Sequence, residues 1–365
     1  MRTEADFSPA WAVPPGRTIS DLLASKKVSP EDAARSMELS EEEFDDLLLG
    51  KSSLTAKVAN RLEVVLGASA AFWLRREEQY REQLSELDED VDPDSSAYKE
   101  WLRNLPIRQM VDMGWIDAVA DKKAKLKRCL EFFGVPNLDA WNRTYGETRD
   151  AAAFRTSEAH VESAPATAAW LRRGEVLADQ IDCNDWNPAL FESQLSKARE
   201  LTLVSHPNDF IPRLQKLCAD AGVAVVIVKA PLGCRASGAT FFATPTKAVL
   251  LLSFRYLSDD QFWFSFFHEA AHLILHYDAE ALILETTTDG PKSPMEEEAN
   301  QYAALHLVPE QFQGRMAQAA RTLLGIVRLA RDAGVSRGIV VGQMQHRGLI
   351  KRAHHNDLKV RYKWG

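Results

Sequence analysis

The stretch that most limits what this chain can fold into is FWFSFFHEAAHLILHYD, residues 262–278. Its apolar side chains run almost all the way round a helix, so the helix must be covered on more than one side. Within it, His268 and His272 are four residues apart and lie one above the other on one face. Two imidazoles in such a place need a partner, and one zinc ion between them would provide it. Glu269 is rotated about 100° from His268, so it stands beside the ion rather than on it. There it can take a proton from a water whose pKa zinc lowers to roughly 7. A bare HExxH is a short pattern, and a core helix with hydrogen-bonded histidines is the competing reading. The context favours metal. Three short apolar runs precede the motif, VAVVIVKA, SGATFFAT and KAVLLLSF. They read as buried strands, the last two joined by a turn at Pro245 and Thr246.

A catalytic zinc site needs a third protein ligand. Downstream, PMEEEANQYAALHLVP (294–309) opens a second helix with three glutamates. Glu296 shares a face with Asn300, Ala303 and Leu307 and is the one in register to point at the first helix. Asn300, on the same face, is placed to accept a hydrogen bond from a ligand imidazole. Glu297 and Glu298 read as ordinary acids at a helix N-terminus, favoured by the macrodipole.

With FFHEAAHLILH followed by EEEANQYAALHLVP, the chain resembles the ImmA/IrrE family of metallopeptidases, which are Glu-zincins. The resemblance implies zinc held by His268, His272 and Glu296, with Glu269 as general base. Ala271 departs from the glycine many members carry. SGATFFATPTKAVLLLS is similar to the family's strands beside the cleft, and GIVVGQMQHRGLI extends the likeness to the tail. One such strand, Gly238, Ala239, Thr240, Phe241 and Phe242, is a candidate to pair with an extended peptide substrate. A second electrophile is needed beside the scissile carbonyl. His346, Tyr277, Tyr302 and Arg235 stay open for that role. His276, one more turn along, reads as a support for the site or as core. Cys234 reads as a buried or rim thiol, with zinc ligation in a resting state as the lesser alternative.

The first 90 residues read differently. Ser29 caps a helix that opens with Pro30, Ser40 and Glu43 form a capping box, and Gly50 and Gly67 are stop signals. Five short helices with tight turns suggest a helix-turn-helix bundle. PPGRTISDLLASKKVSPEDAARSMELS and LLLGKSSLTAKVANRLEVVLGASAAFWL resemble the XRE-type helix-turn-helix, especially the HigA-like antitoxin subgroup. By that resemblance, Ser40–Leu49 would enter the major groove. Yet this helix starts Ser-Glu-Glu-Glu-Phe-Asp-Asp, and the helix before it adds Glu31, Asp32 and Glu38 against Arg35. Phosphates repel such a surface. A DNA-binding module resting on Lys51, Lys57 and helix N-termini remains open. So do a module turned to protein contact or dimerisation, an acidic mimic of DNA and a purely structural bundle.

The formal net charge of −8 argues against a protein that coats nucleic acid. The four cysteines show no CxxC or regular spacing, which fits a reducing compartment. The N-terminus has no apolar signal-like region, and no run of about 18 apolar residues occurs, so a cytoplasmic location is expected. The expected fold is α+β and mainly helical. A helix-turn-helix domain over 1–86 is followed by an acidic linker and helical middle over 87–175. A zincin-like domain over 176–365 packs a small sheet on the HExxH helix. The expected function is a zinc endopeptidase that cuts a regulatory protein such as a DNA-bound repressor; that target comes from the resemblance alone. The alternatives are a transcriptional regulator or antitoxin-like binding protein with the peptidase domain as sensor or scaffold, and a structural protein stapled by metal. Two histidines and a glutamate also suit manganese or iron.

Overall fold

The computed structural model describes residues 14–26, 28–37, 39–50, 52–89, 93–145, 164–244, 246–276, 283–286 and 294–363. Tyr277, Lys51 and Pro245 lie outside them. The described chain is mainly helical with one small sheet, and it divides into two compact units. The first comprises 1–103 and 114–147, the second 104–113 and 148–365.

In the first unit, α1 (Pro15–Lys26), α2 (Pro30–Ser36), α3 (Glu41–Leu48), α4 (Ala56–Leu66) and α5 (Ala70–Glu89) form the N-terminal bundle. Ser29 Oγ accepts from Asp32 N, and Ser40 and Glu43 make both halves of a capping box. Gly67 ends α4 in the left-handed region, at φ 77°. The core is built by Ile19, Leu23, Met37, Phe44, Leu62 and Trp73. Then come α6 (Ser96–Asn104), α7 (Ile107–Asp112), α8 (Lys122–Phe133) and α9 (138–145). Of these, α8 and α9 belong to the first unit with α6 up to Arg103, and α7 to the second. Trp101, Phe133, Trp141 and Tyr145 hold the first-unit helices together through edge-on and tilted ring pairs 5.2–5.9 Å apart.

The second unit is layered. After α10 (Ala164–Asp179), α11 (Pro188–Glu200) and α12 (Pro207–Ala219) come β1 (Val223–Ile227), β2 (Ala236–Thr244) and β3 (Lys247–Leu252). The HEAAH helix is α13 (Asp259–Leu275), followed by β4 (Ile283–Thr286) and α14 (Pro294–Leu307). Short α15 (Glu310–Gln313) and α16 (Met316–Ala319) lead to α17 (Leu323–Ala333) and α18 (Arg337–His346). The sheet order is β1-β3-β2-β4, with β1 parallel to β3 and the other pairs antiparallel. Sequence patterning finds three of these strands; β4 is an addition.

Both faces of the sheet are covered. Leu251 packs onto Gly174 of α10, while Ala248, Leu250 and Leu252 join the core around α13. This two-sided burial explains why KAVLLL is a continuous apolar run rather than an alternating one. On its other side α13 meets α14 and α18, which accounts for a helix that is apolar all round. Its first turn is fixed by ties to distant segments. Ser336 Oγ donates to Asp259 Oδ2 at 2.6 Å, Val360 N donates to Asp259 Oδ1 at 3.1 Å, and Lys359 Nζ lies 2.7 Å from Asp260 Oδ2.

Candidate metal centre

His268 and His272 sit in the third and fourth turns of α13, each about 1% exposed. Glu296 sits in the first turn of α14, and its side chain is 16% exposed, so solvent reaches the cluster on that side. The Nε2 atoms of the two histidines are 3.0 Å apart. Glu296 Oε2 lies 3.3 Å from His268 Nε2, and Oε1 lies 3.5 Å from His272 Nε2. A tetrahedral zinc with bonds of about 2.05 Å separates its ligand atoms by about 3.3 Å. The three donors thus stand at the spacing such an ion requires, and their two-nitrogen, one-oxygen chemistry suits it. Among the described residues, they form the one group of three His, Cys, Asp or Glu side chains close enough to share a cation.

Glu269 is fully buried between α13 and β2. Its carboxylate lies against the backbone of Gly238, where an added Cβ would stand 2.6 Å from both Cγ and Cδ of Glu269. Only glycine lets the strand come this close, so the sheet sets where the carboxylate goes.

The strand expected to receive a peptide is an interior strand over part of its length. Ala236, Gly238, Ala239 and Thr240 pair with Thr286, Glu285, Leu284 and Ile283 of β4. The other edge of Gly238, Ala239 and Thr240 pairs with β3, as do Phe241 and Phe242. Direct strand addition along 238–240 is therefore closed while β4 is in place. The sequence gives little sign of this, because ILET is four residues long and carries no alternation.

Asn300 also differs from expectation. Its Nδ2 donates to the Glu296 carbonyl at 2.6 Å, which steadies the turn that presents the ligand carboxylate. The partner of the His272 ring is instead His276, with the two Nδ1 atoms 3.1 Å apart. His276 Nε2 in turn lies 2.9 Å from Glu298 Oε2. Glu298 escaped a reading along one helix because it lies about 200° round from Glu296. The four-residue spacing of His268, His272 and His276 is the signal that could have pointed to the chain of contacts.

The open candidates fall in several places. Tyr302 is about 120° round α14 from Glu296, with its ring stacked 3.9 Å from that of His306. Burial pushes the Tyr302 hydroxyl pKa up and the His306 pKa down. Arg235 precedes β2 and is exposed, and His346 ends α18. Cys234 is buried, and desolvation raises its thiol to about 11, which keeps it protonated at neutral pH. Acids of α2 and α3 face solvent: Glu31, Asp32, Glu42, Glu43 and Asp45 are all exposed, and so is Lys57.

A buried helix with two histidines one turn apart, backed by a sheet and met by a glutamate from the next helix, defines a metallopeptidase-type domain. Residues 221–343 match the family model described as the IrrE N-terminal-like domain. The chain is also similar to YddM, an uncharacterized helix-turn-helix-type transcriptional regulator of Escherichia coli strain K12. It is 36% identical over 78 residues, 21% of this chain and 81% of that protein. The chain thus combines a C-terminal domain of the ImmA/IrrE metallopeptidase family, over 221–343, with a helix-turn-helix module. No helix among the described residues is long and apolar enough to cross a membrane.

Proposed function

We propose that this protein is a zinc-dependent endopeptidase that cuts a regulatory protein, such as a DNA-bound repressor, in the cytoplasm. The observation that carries the reading is the convergence of His268, His272 and Glu296 at the spacing a tetrahedral cation needs. We extend the reading to the domain plan of 1–86, 87–175 and 176–365, with the first domain used for targeting or dimerisation. Zinc in this position supplies Lewis acidity, which eases deprotonation of water and polarises a peptide carbonyl. Glu269 takes the proton as the water oxygen attacks the carbonyl carbon, then delivers it to the amide nitrogen as the C–N bond breaks. Gly238 holds that carboxylate in place from the sheet side. The peptide lies extended beside β2, Gly238 to Phe242, in the place β4 now takes over part of that edge.

The similarity to a transcriptional regulator supports a second reading, in which the chain binds DNA and the metal domain serves as sensor or scaffold. The exposed carboxylates of α2 and α3 weigh against it. A substrate trap separates the two. Partners are captured from the native cell lysate with wild type and with Glu269→Gln, and identified by mass spectrometry. A protein held by the variant and shortened by wild type supports the peptidase. The same uncut partners with both forms support the regulator.

A further inference from the structure

We propose that His276 and Glu298 are positioning residues that set the tautomer and ring orientation of His272, and so the metal affinity of the site. The inference rests on reading His268, His272 and Glu296 as metal ligands. It starts from two contacts, His272 Nδ1 to His276 Nδ1 at 3.1 Å and His276 Nε2 to Glu298 Oε2 at 2.9 Å. An ionised carboxylate only accepts, so His276 Nε2 carries the hydrogen and donates to Glu298. A neutral His276 then has a bare Nδ1, which can only accept. The facing Nδ1 of His272 must therefore carry its hydrogen and donate. That leaves the lone pair of His272 on Nε2, the atom that faces His268 Nε2 at 3.0 Å and Glu296 Oε1 at 3.5 Å. Each group has one role, and the chain of roles ends with the lone pair aimed where a cation would sit.

The arrangement extends a common device. A metal-bound histidine usually gives its second N–H to a carboxylate, carbonyl or water, and losing that partner costs about 10–100-fold in metal affinity. Here an imidazole stands between ligand and carboxylate. His276 lies at the end of α13, where a side chain has freedom to swing, and its side chain is nevertheless only 7% exposed. Glu298 is 65% exposed. The relay therefore runs from solvent to the buried ligand, and both ends of the ladder of histidines are tied to α14, one by Glu296 and one by Glu298.

The test is a zinc titration of the full-length apoprotein against a chromogenic chelator, with the cobalt(II) absorption spectrum and the thermal midpoint as further readouts. His276→Leu removes the acceptor and should weaken zinc binding by about 10–100-fold and alter the cobalt spectrum. His276→Gln restores binding to within about threefold, because its amide oxygen accepts from His272 and its amide nitrogen donates to Glu298. Glu298→Ala, at an exposed position, weakens binding by about three- to tenfold, with an unchanged midpoint. Wild-type affinity in both His276→Leu and Glu298→Ala overturns the relay. Equal loss in His276→Leu and His276→Gln also overturns it. If His276→Leu lowers the midpoint, Glu298→Ala alone decides, and wild-type affinity there overturns the proposal. Failure of wild type itself to bind zinc or cobalt would instead reject the metal site on which the relay depends.

Discussion

The two units put their carboxylates to opposite uses. In the N-terminal bundle Glu31, Asp32, Glu42, Glu43 and Asp45 of α2 and α3 are exposed, and even the buried Glu77 of α5 pairs only one turn away, with Arg81. Asp32 pairs with Arg35 one turn away at 2.9 Å, and Glu43 closes a cap on Ser40. In the C-terminal unit Asp259 and Asp260 are buried and Glu296 is partly buried, and all three have partners distant in sequence. Glu296 meets histidines 24 and 28 residues before it. Asp259 is held by Ser336 and Val360, and Asp260 by Lys359. A carboxylate in water is screened and cheap to change. One held out of water must have specific partners, and these make it a functional or structural fixture. The contrast teaches where charge in this chain has consequences.

Four experiments would break or sharpen that contrast. The largest effect is expected at Glu296. Glu296→Ala removes a donor from the buried trio and should lower zinc affinity by more than about 100-fold, measured by chelator competition. Retained affinity would remove the carboxylate from the site. Next is β4, whose backbone joins Gly238 to residues nearly 50 positions on. Of two consecutive strand residues only one turns its N–H toward β2, so Leu284→Pro with Glu285→Pro removes that ladder donor whichever residue supplies it. If β4 competes with substrate by about 1.4 kcal/mol, kcat/KM on an extended peptide rises about tenfold; unchanged kinetics would show that peptides bind elsewhere.

The third experiment concerns Asp259. Desolvation raises its pKa, with repulsion from Asp260 adding to the rise and the Ser336 hydrogen bond opposing it. A carboxylic acid with a folded pKa above its unfolded value stabilises the fold most below the unfolded value. That contribution is lost as pH climbs through the folded value. Asp259→Asn cannot ionise and escapes the loss. Between pH 4 and 7 the wild-type midpoint should fall relative to the variant's by about 2–4 °C in thermal melts. Parallel curves would mean that the site absorbs the charge. The smallest effect is expected on α3. Glu42→Lys with Asp45→Lys should leave the midpoint within about 2 °C while strengthening non-specific DNA binding in a shift assay. A large drop in stability would show that the exposed acids have partners after all.

The same contrast explains what could be read from the residues alone. The caps at Ser29, Ser40 and Gly67 act within one turn, so local sequence contains them whole. The α13 motif is equally local, and register on α14 singled out Glu296, which does meet the histidines. What stayed hidden is tertiary. Nothing within ILET announces that it pairs with β2. Nothing within α14 announces that Glu298 finds His276 at the end of a neighbouring helix. The tie from Lys359 and Val360 to the start of α13 spans about a hundred residues and has no signature in either segment.

The approach of Gly238 to Glu269 also makes codon 238 a mutational target of an unusual kind. Every other amino acid has a Cβ, and a Cβ here would stand 2.6 Å from two carbons of the Glu269 side chain. Chemical similarity then offers no protection: alanine and serine, the mildest replacements, intrude on the same space as tryptophan. In a screen for lost function, missense changes at this codon should be recovered whatever residue they encode, while the exposed acids of α3 accumulate exchanges unseen.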